Sequence, residues 1–217
     1  MSDDKPRPVI APPDMHPLVD KVTDKMGKLF ATMKMNIGTG RRTMGGANYM
    51  LIGLEALGVY LKKALDEILD PNGRNIIMYK LGWAIGNAEA IRLKQLLDLE
   101  PGPEHLIAGP IFAAHAGFVF VKFLPGSNPV PNEEYLLYYD HPGSFEAVYW
   151  KEKFGISDEP VCHFGSGYAA GWCSAAMGIN LTAIETLCEA KGDHTCRYVM
   201  VPDTRVLEYQ ERLDDFR

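Results

Sequence analysis

Four cysteines, all confined to positions 162–196 of a 217-residue chain, constrain this sequence more than any other feature. They are too few to staple a disulfide-dense secreted scaffold. In a reducing compartment such residues read as core thiols, metal ligands or reactive thiols. Three of them fall with a glutamate into C-x22-E-x2-C-x7-C, namely Cys162, Glu185, Cys188 and Cys196. The segments 181–190 and 194–201 read as a hairpin turning at Lys191-Gly192-Asp193. That hairpin sets Cys188 across from Cys196, with facing Cβ atoms ~4.5–5.5 Å apart. Two thiolates bound at ~2.3 Å to one zinc ion need about that separation. Cys162, at the start of a helix, adds a third thiolate whose charge the helix N-terminus favours. Three thiolates and one carboxylate fill a tetrahedral shell and leave no position for a catalytic water, which argues for a structural site.

Glu185 and Cys188 are three residues apart, so an ideal strand aims them at opposite faces. A bulge near Thr186 or Leu187 is required for both to reach one ion. Spacing alone leaves other readings open. Cys188 and Cys196 also fit facing core thiols or a disulfide, and His163 or His194 fits as a nitrogen donor in place of Glu185. Cys173, among small apolar residues, reads as core.

Around this cluster the pattern is α+β, helices first and strands later. Residues 1–13, with four prolines, read as a disordered lead-in. A helix is predicted over 18–35, a loop or edge hairpin over 38–46, and a helix from Met50 to Ile68 on the 3- and 4-residue spacing of Met50, Leu54, Leu57, Leu61, Leu65 and Ile68. A second long helix is predicted over 75–98, with Ile77, Leu81, Ala84, Ala88 and Ile91 as its apolar face and Gly82 and Gly86 allowing close approach. A helix over 104–114 leads into Phe118–Val121 as a buried strand, followed by a strand over 135–139 and a strand or short helix over 144–150. Pro160 reads as the first residue of a helix running to 177, and 206–216 reads as an amphipathic terminal helix. The predicted organisation is a lead-in (1–13), an N-terminal segment (14–46), a main domain (47–202) and a C-terminal helix or linker (203–217).

Charge and composition exclude several classes. With a net charge of −6 and no basic run longer than Arg41-Arg42, the chain lacks the clustered cations that direct nucleic-acid contact requires. No apolar stretch approaches the ~20 residues of a membrane span, and the acidic, proline-rich N-terminus is no signal peptide. A cytoplasmic protein is expected. No phosphate loop, dinucleotide fingerprint or nucleophile–base set is present.

Several segments resemble the 4-vinyl reductase domain family, the small-molecule-binding module of phenol-sensing transcription activators. They are Gly109-Pro110, Ser144-Phe145-Glu146-Ala147, Gly167–Gly171, Ser174–Gly178 and Glu185-x-x-Cys188…Cys196. The resemblance runs over about 41–202 and is most specific over 160–202. It implies a fold related to the NO-signalling and Golgi-transport domains, an antiparallel sheet packed with helices, and a zinc ion on Cys162, Glu185, Cys188 and Cys196. It also implies dimerisation through the N-terminal part, here residues 14–60. A pocket is implied between the helix before the first strand, the middle strands and the small-residue helix. Candidate ligand contacts are Phe112, His115, Phe120, Tyr139, His141, Tyr168 and Trp172. The histidine and tryptophan that hold the phenol hydroxyl in the family are replaced by Ala113 and His141, which points to an apolar or aromatic ligand bulkier than phenol.

The leading expectation is therefore a zinc-containing, homodimeric sensing module that regulates a partner or a fused transcription output. The alternatives are an enzyme or assembly factor in tetrapyrrole vinyl reduction, and an interaction protein whose buried channel holds an acyl chain.

Overall fold

The computed structural model describes residues 6–217. In chain order the elements are β1 (Val9–Ile10), α1 (His16–Ala31), β2 (Lys34–Asn36), β3 (Arg41–Met44), β4 (Ala47–Tyr49), α2 (Leu61–Asp66), α3 (Pro71–Leu97), α4 (Pro103–Ala116), β5 (Val121–Phe123), β6 (Leu137–His141), α5 (Phe145–Phe154), α6 (His163–Met177), β7 (Leu181–Leu187), β8 (Cys196–Pro202) and α7 (Val206–Gln210). The fold is the expected α+β. A five-stranded sheet runs β1-β5-β6-β8-β7, antiparallel except for the β1–β5 pair. Strands β2, β3 and β4 form a separate antiparallel sheet, the hairpin anticipated over 38–46. Among the described residues no helix is long and apolar enough to cross a membrane.

Strand β8 shows how the main sheet is sandwiched. Successive side chains of a strand point to opposite faces, so Cys196, Tyr198 and Met200 enter the main core while Val199 and Val201 face the other way. Tyr209, Leu213 and Phe216 from the C-terminal segment cover that second face. The expected terminal helix is accordingly broken into α7 and a 3-10 turn at Leu213–Phe216, folded onto the sheet.

The tightest helix contact, between α3 and α6, is made by glycines. A methyl group on Gly86 would stand 2.9 Å from the Tyr168 carbonyl carbon, and one on Gly171 would stand 2.8 Å from that of Trp83. Gly82 and Gly167 meet the opposite backbone in the same way. This corrects the face assigned to α3. Its buried positions are Met78, Gly82, Gly86, Ala90 and Leu93, whereas Ile77, Leu81 and Ile91 are 44%, 36% and 52% exposed. The backbone-to-backbone contact outweighs the larger side chains, because two helices can only meet at backbone distance where no Cβ intervenes.

Other boundaries move for local reasons. The helix expected from Met50 starts near Leu54 and passes through a π turn (Ala56–Tyr60), which leaves Met50 and Ile68 exposed. The extra residue of a π turn rotates the helix beyond it, and Lys62 turns into the core. Helix α6 starts at His163 with Cys162 as N-cap, so Pro160 lies in the preceding loop. The strand expected at Phe118 begins at Val121, and 144–150 is helical. In the lead-in expected to be disordered, Val9 and Ile10 pair in parallel with Val121 and Lys122; residues 1–5 lie outside the described residues.

Candidate metal centre and adjoining cavity

Strands β7 and β8 pair in register from Leu181↔Pro202 to Glu185↔Tyr198, then slip to Leu187↔Arg197. Thr186 is the extra residue, so the bulge anticipated from sequence is present where it is needed. It turns Glu185 to the side reached by Cys188. Beyond β7 the chain tightens into a 3-10 turn, Glu189–Lys191, with the Cys188 carbonyl accepting from Lys191 N at 2.8 Å and the Cys188 N–H donating to Asp193 Oδ2 at 2.8 Å. Cys196 opens β8 opposite His141 of β6.

The donor atoms of Cys162, Glu185, Cys188 and Cys196 lie within 4.8 Å of one another, and neither His163 nor His194 joins them. All four cysteines are free thiols. Cys162 Sγ stands 3.6 Å from Cys196 Sγ. A tetrahedral ion with ~2.3 Å metal–sulfur bonds separates its sulfurs by roughly 3.8 Å, so the donor set fits zinc. One carboxylate oxygen of Glu185 accepts from Cys162 N at 3.0 Å, while Oε1 is enclosed without a partner. Burial raises the pKa values of the Glu185 carboxyl and the Cys162 thiol. Cys188 is held down to about 2 by hydrogen bonds from the Cys162 and Cys196 thiols. Without a cation the cluster thus tolerates one negative charge; a divalent ion is what lets the remaining groups ionise together.

On the inner side of the same sheet, α4, β6, α5 and α6 enclose a cavity of about 50 Å³. Its wall is almost entirely apolar, with Leu106, Phe118, Val121, Leu137 and Met200 prominent. Three polar atoms at residues lining it are buried without partners: Tyr139 Oη, Tyr168 Oη and His141 Nδ1. Burial pushes the His141 imidazole down to about 3 and the two phenols upward, so all three groups are neutral near pH 7. Trp172 lines the cavity with its ring, its N–H being committed to the His105 carbonyl at 3.0 Å. Cys173 also lines it, its thiol pushed up to about 12 by burial, which keeps it protonated.

Of the seven candidate ligand contacts, the cavity therefore brings together Tyr139, His141, Tyr168 and Trp172. Three others lie elsewhere. Phe112 packs behind Trp172, 6.1 Å ring to ring and nearly parallel, with Phe30 on its other side. His115 lies 5.2 Å from the Phe30 ring, and its Nδ1 contacts the Ile111 carbonyl at 2.8 Å. Phe120 borders a separate open groove of about 410 Å³, which shares Phe118, Val119 and Phe145 with the cavity. One helical turn rotates Phe112 and His115 toward α1 while Gly109, Pro110 and Ala113 face inward. Conversely, sequence reasoning treated Gly109-Pro110 and Ser144-Phe145 only as motif matches, and all four line the cavity.

Cavity and donor cluster share a wall. Tyr198 stacks on Tyr139 at 5.2 Å and lies 4.7 Å from His141, and it pairs across the sheet with Glu185. Two buried charges that the sequence reading passed over, Lys62 and Glu146, stand at the start of α6.

The 4-vinyl reductase domain matches residues 152–202, the stretch that holds all four donor residues. The phenol regulator MopR of Acinetobacter guillouiae is 28% identical over 155 residues, covering 71% of this chain and 28% of that protein. The transcriptional regulatory protein XylR of Pseudomonas putida is 25% identical over 176 residues, covering 81% of this chain and 31% of that protein. The crystal structure of the phenol-responsive sensory domain of the transcription activator PoxR with phenol superposes with a TM-score of 0.74 at 24% identity, over 89% of this chain and 96% of that one. The resemblance drawn from the sequence motifs is thus shown, as is the fold. The chain spans less than a third of the length of the curated relatives it matches, and both are named as regulators rather than enzymes.

Proposed function

We propose that this chain is a sensing module for a small aromatic molecule, with a structural zinc ion on Cys162, Glu185, Cys188 and Cys196, and that occupancy regulates a partner or a fused transcription output. The observation that carries the reading is the enclosed apolar cavity with three unpartnered, neutral polar atoms. Burying such atoms without partners is costly, and a ligand carrying one hydroxyl or similar group would satisfy them. Ligand pockets combine an apolar wall with few convergent polar groups in this way. The small volume favours a single ring over the bulkier molecule that the Ala113 and His141 departures suggested. It also disfavours the tetrapyrrole alternative, since the macrocycle is several times larger than the cavity. The names of the phenol-responsive relatives point to the same ligand class.

The bound metal would supply no reaction; it would cross-link α6 to the β7–β8 hairpin and so hold the wall behind Tyr139 and His141. We assign residues 47–202 to ligand binding and 14–46 to dimerisation, with 14–60 as the dimer surface. Met35, Ile37, Met50, Leu51 and Ile52 are exposed there, which suits a covered face. Titration calorimetry of zinc-loaded protein with phenol and cresols tests the ligand reading. Saturable one-to-one binding, weakened at least tenfold by Trp172→Ala, is expected. No heat from any single-ring compound would refute it. Sedimentation showing a monomer at micromolar concentration would refute the dimer.

A further inference from the structure

The first turn of a helix leaves N–H groups without intrahelical partners, and a Ser, Thr, Asp or Asn at the N-cap usually accepts one of them. Helix α6 has Cys162 in that position, and its side chain makes no capping hydrogen bond. The acceptor comes from elsewhere. Glu146 of α5 takes the Phe164 N–H on Oε1 at 3.1 Å and the Gly165 N–H on Oε2 at 2.7 Å. Glu146 is 0% exposed and Lys62 is 1% exposed, with Lys62 Nζ 2.9 Å from Glu146 Oε1. The same ammonium donates to the Val161 carbonyl. Together the two side chains hold the backbone on both sides of Cys162.

A buried ion pair is not in itself a source of stability, since desolvation offsets the attraction. A local N-cap would have satisfied the helix without burying any charge. That simpler solution is closed here because the N-cap side chain belongs to the thiol cluster. We propose that Lys62 and Glu146 are a positioning pair for the metal centre, capping α6 from outside so that Cys162 Sγ stays turned toward Glu185, Cys188 and Cys196. This rests on the zinc reading above. The pair also touches the cavity wall: Phe145 and Gly165 line it, and Gly58 of the π turn packs against Phe145 and Glu146, where a Cβ would stand 3.0 and 3.3 Å away.

The test compares K62M/E146L, which fills the space without charge or acceptor, with K62M/E146Q, which keeps one carbonyl acceptor for the α6 amides. Zinc affinity is read by chelator competition and ligand geometry by the thiolate charge-transfer band of cobalt-substituted protein. Partners that orient metal ligands typically account for roughly 10–100-fold in affinity. K62M/E146L is expected to lose about that much and to shift the cobalt band, with K62M/E146Q recovering most of the loss. Parental affinity in K62M/E146L, or equal losses in both, overturns the proposal. If K62M/E146L does not fold, Glu146→Gln alone decides: weaker zinc binding with parental circular dichroism supports it, and parental affinity overturns it. A parent protein that takes up no zinc overturns the metal reading and this proposal together.

Discussion

Replacing Gly86 by alanine inverts the usual rule for helices. At an exposed mid-helix position Gly→Ala gains about 0.8–1 kcal/mol. Here the new methyl would stand 2.9 Å from the Tyr168 carbonyl carbon and 3.1 Å from its Cα. Carbon atoms pack best at about 3.5–4.0 Å, so α3 and α6 must separate by roughly 1 Å along their closest line. The obstacle is backbone, not a side-chain end that swings aside. Overpacking of this kind costs about 1–3 kcal/mol, and the upper end applies when nothing flexible yields. Subtracting the propensity gain leaves a net loss of about 2 kcal/mol. For a domain of this size that lowers the melting temperature by about 4–8 °C. The separation also carries Tyr168 and Trp172 away from the cavity, so ligand affinity falls in the same variant. Differential scanning calorimetry of the metal-loaded protein measures the first effect. An unchanged or raised melting temperature would refute the backbone-contact account of the α3–α6 interface.

Tyr139→Phe removes an unpartnered buried hydroxyl, so it is expected to raise apo stability by about 1 kcal/mol while weakening phenol binding about tenfold; equal affinity for both proteins would show that this hydroxyl does not face the ligand. His105 is fully buried with Nε2 on the Ala90 carbonyl, and burial followed by Lys94 lowers its pKa below 6.5 against the opposing Ala90 hydrogen bond. The unfolded chain therefore takes up a proton that the folded chain refuses, and stability present above pH 6.5 is lost as pH falls toward the lower folded value. Urea unfolding at about pH 7.5 and about pH 5.0 should show a smaller loss in His105→Gln than in the parent; identical losses would contradict this. Cys173→Ser should keep its metal because that thiol stands apart from the donor cluster, a result that metal analysis checks directly.

The parts of the fold legible in sequence were those written in periodicity and spacing. The hairpin, the bulge at Thr186 and the convergence of three cysteines with Glu185 followed from pairing geometry and the motif resemblance together. What escaped was set by contacts that leave no apolar pattern. The buried face of α3 is built on Gly82 and Gly86, so hydrophobic spacing selected the exposed isoleucines instead. The inward turn of Lys62 depends on a π turn, and a lysine at a core position reads as solvated until its buried partner Glu146 is seen. The cavity was half legible. Tyr139, His141, Tyr168 and Trp172 lie on elements that face it, whereas Phe112 and His115 sit on the same helix as Pro110 but on its opposite side.

A closed zinc centre that forms one wall of an aromatic-binding cavity makes two demands on the purified protein. Native mass spectrometry of freshly purified, reduced protein, with and without phenol, addresses both at once. One zinc per chain and one phenol per zinc-loaded chain are expected, with zinc lost and phenol binding impaired in Cys196→Ser. Full phenol binding by metal-free protein, or a Cys196→Ser variant that retains its zinc, would contradict it.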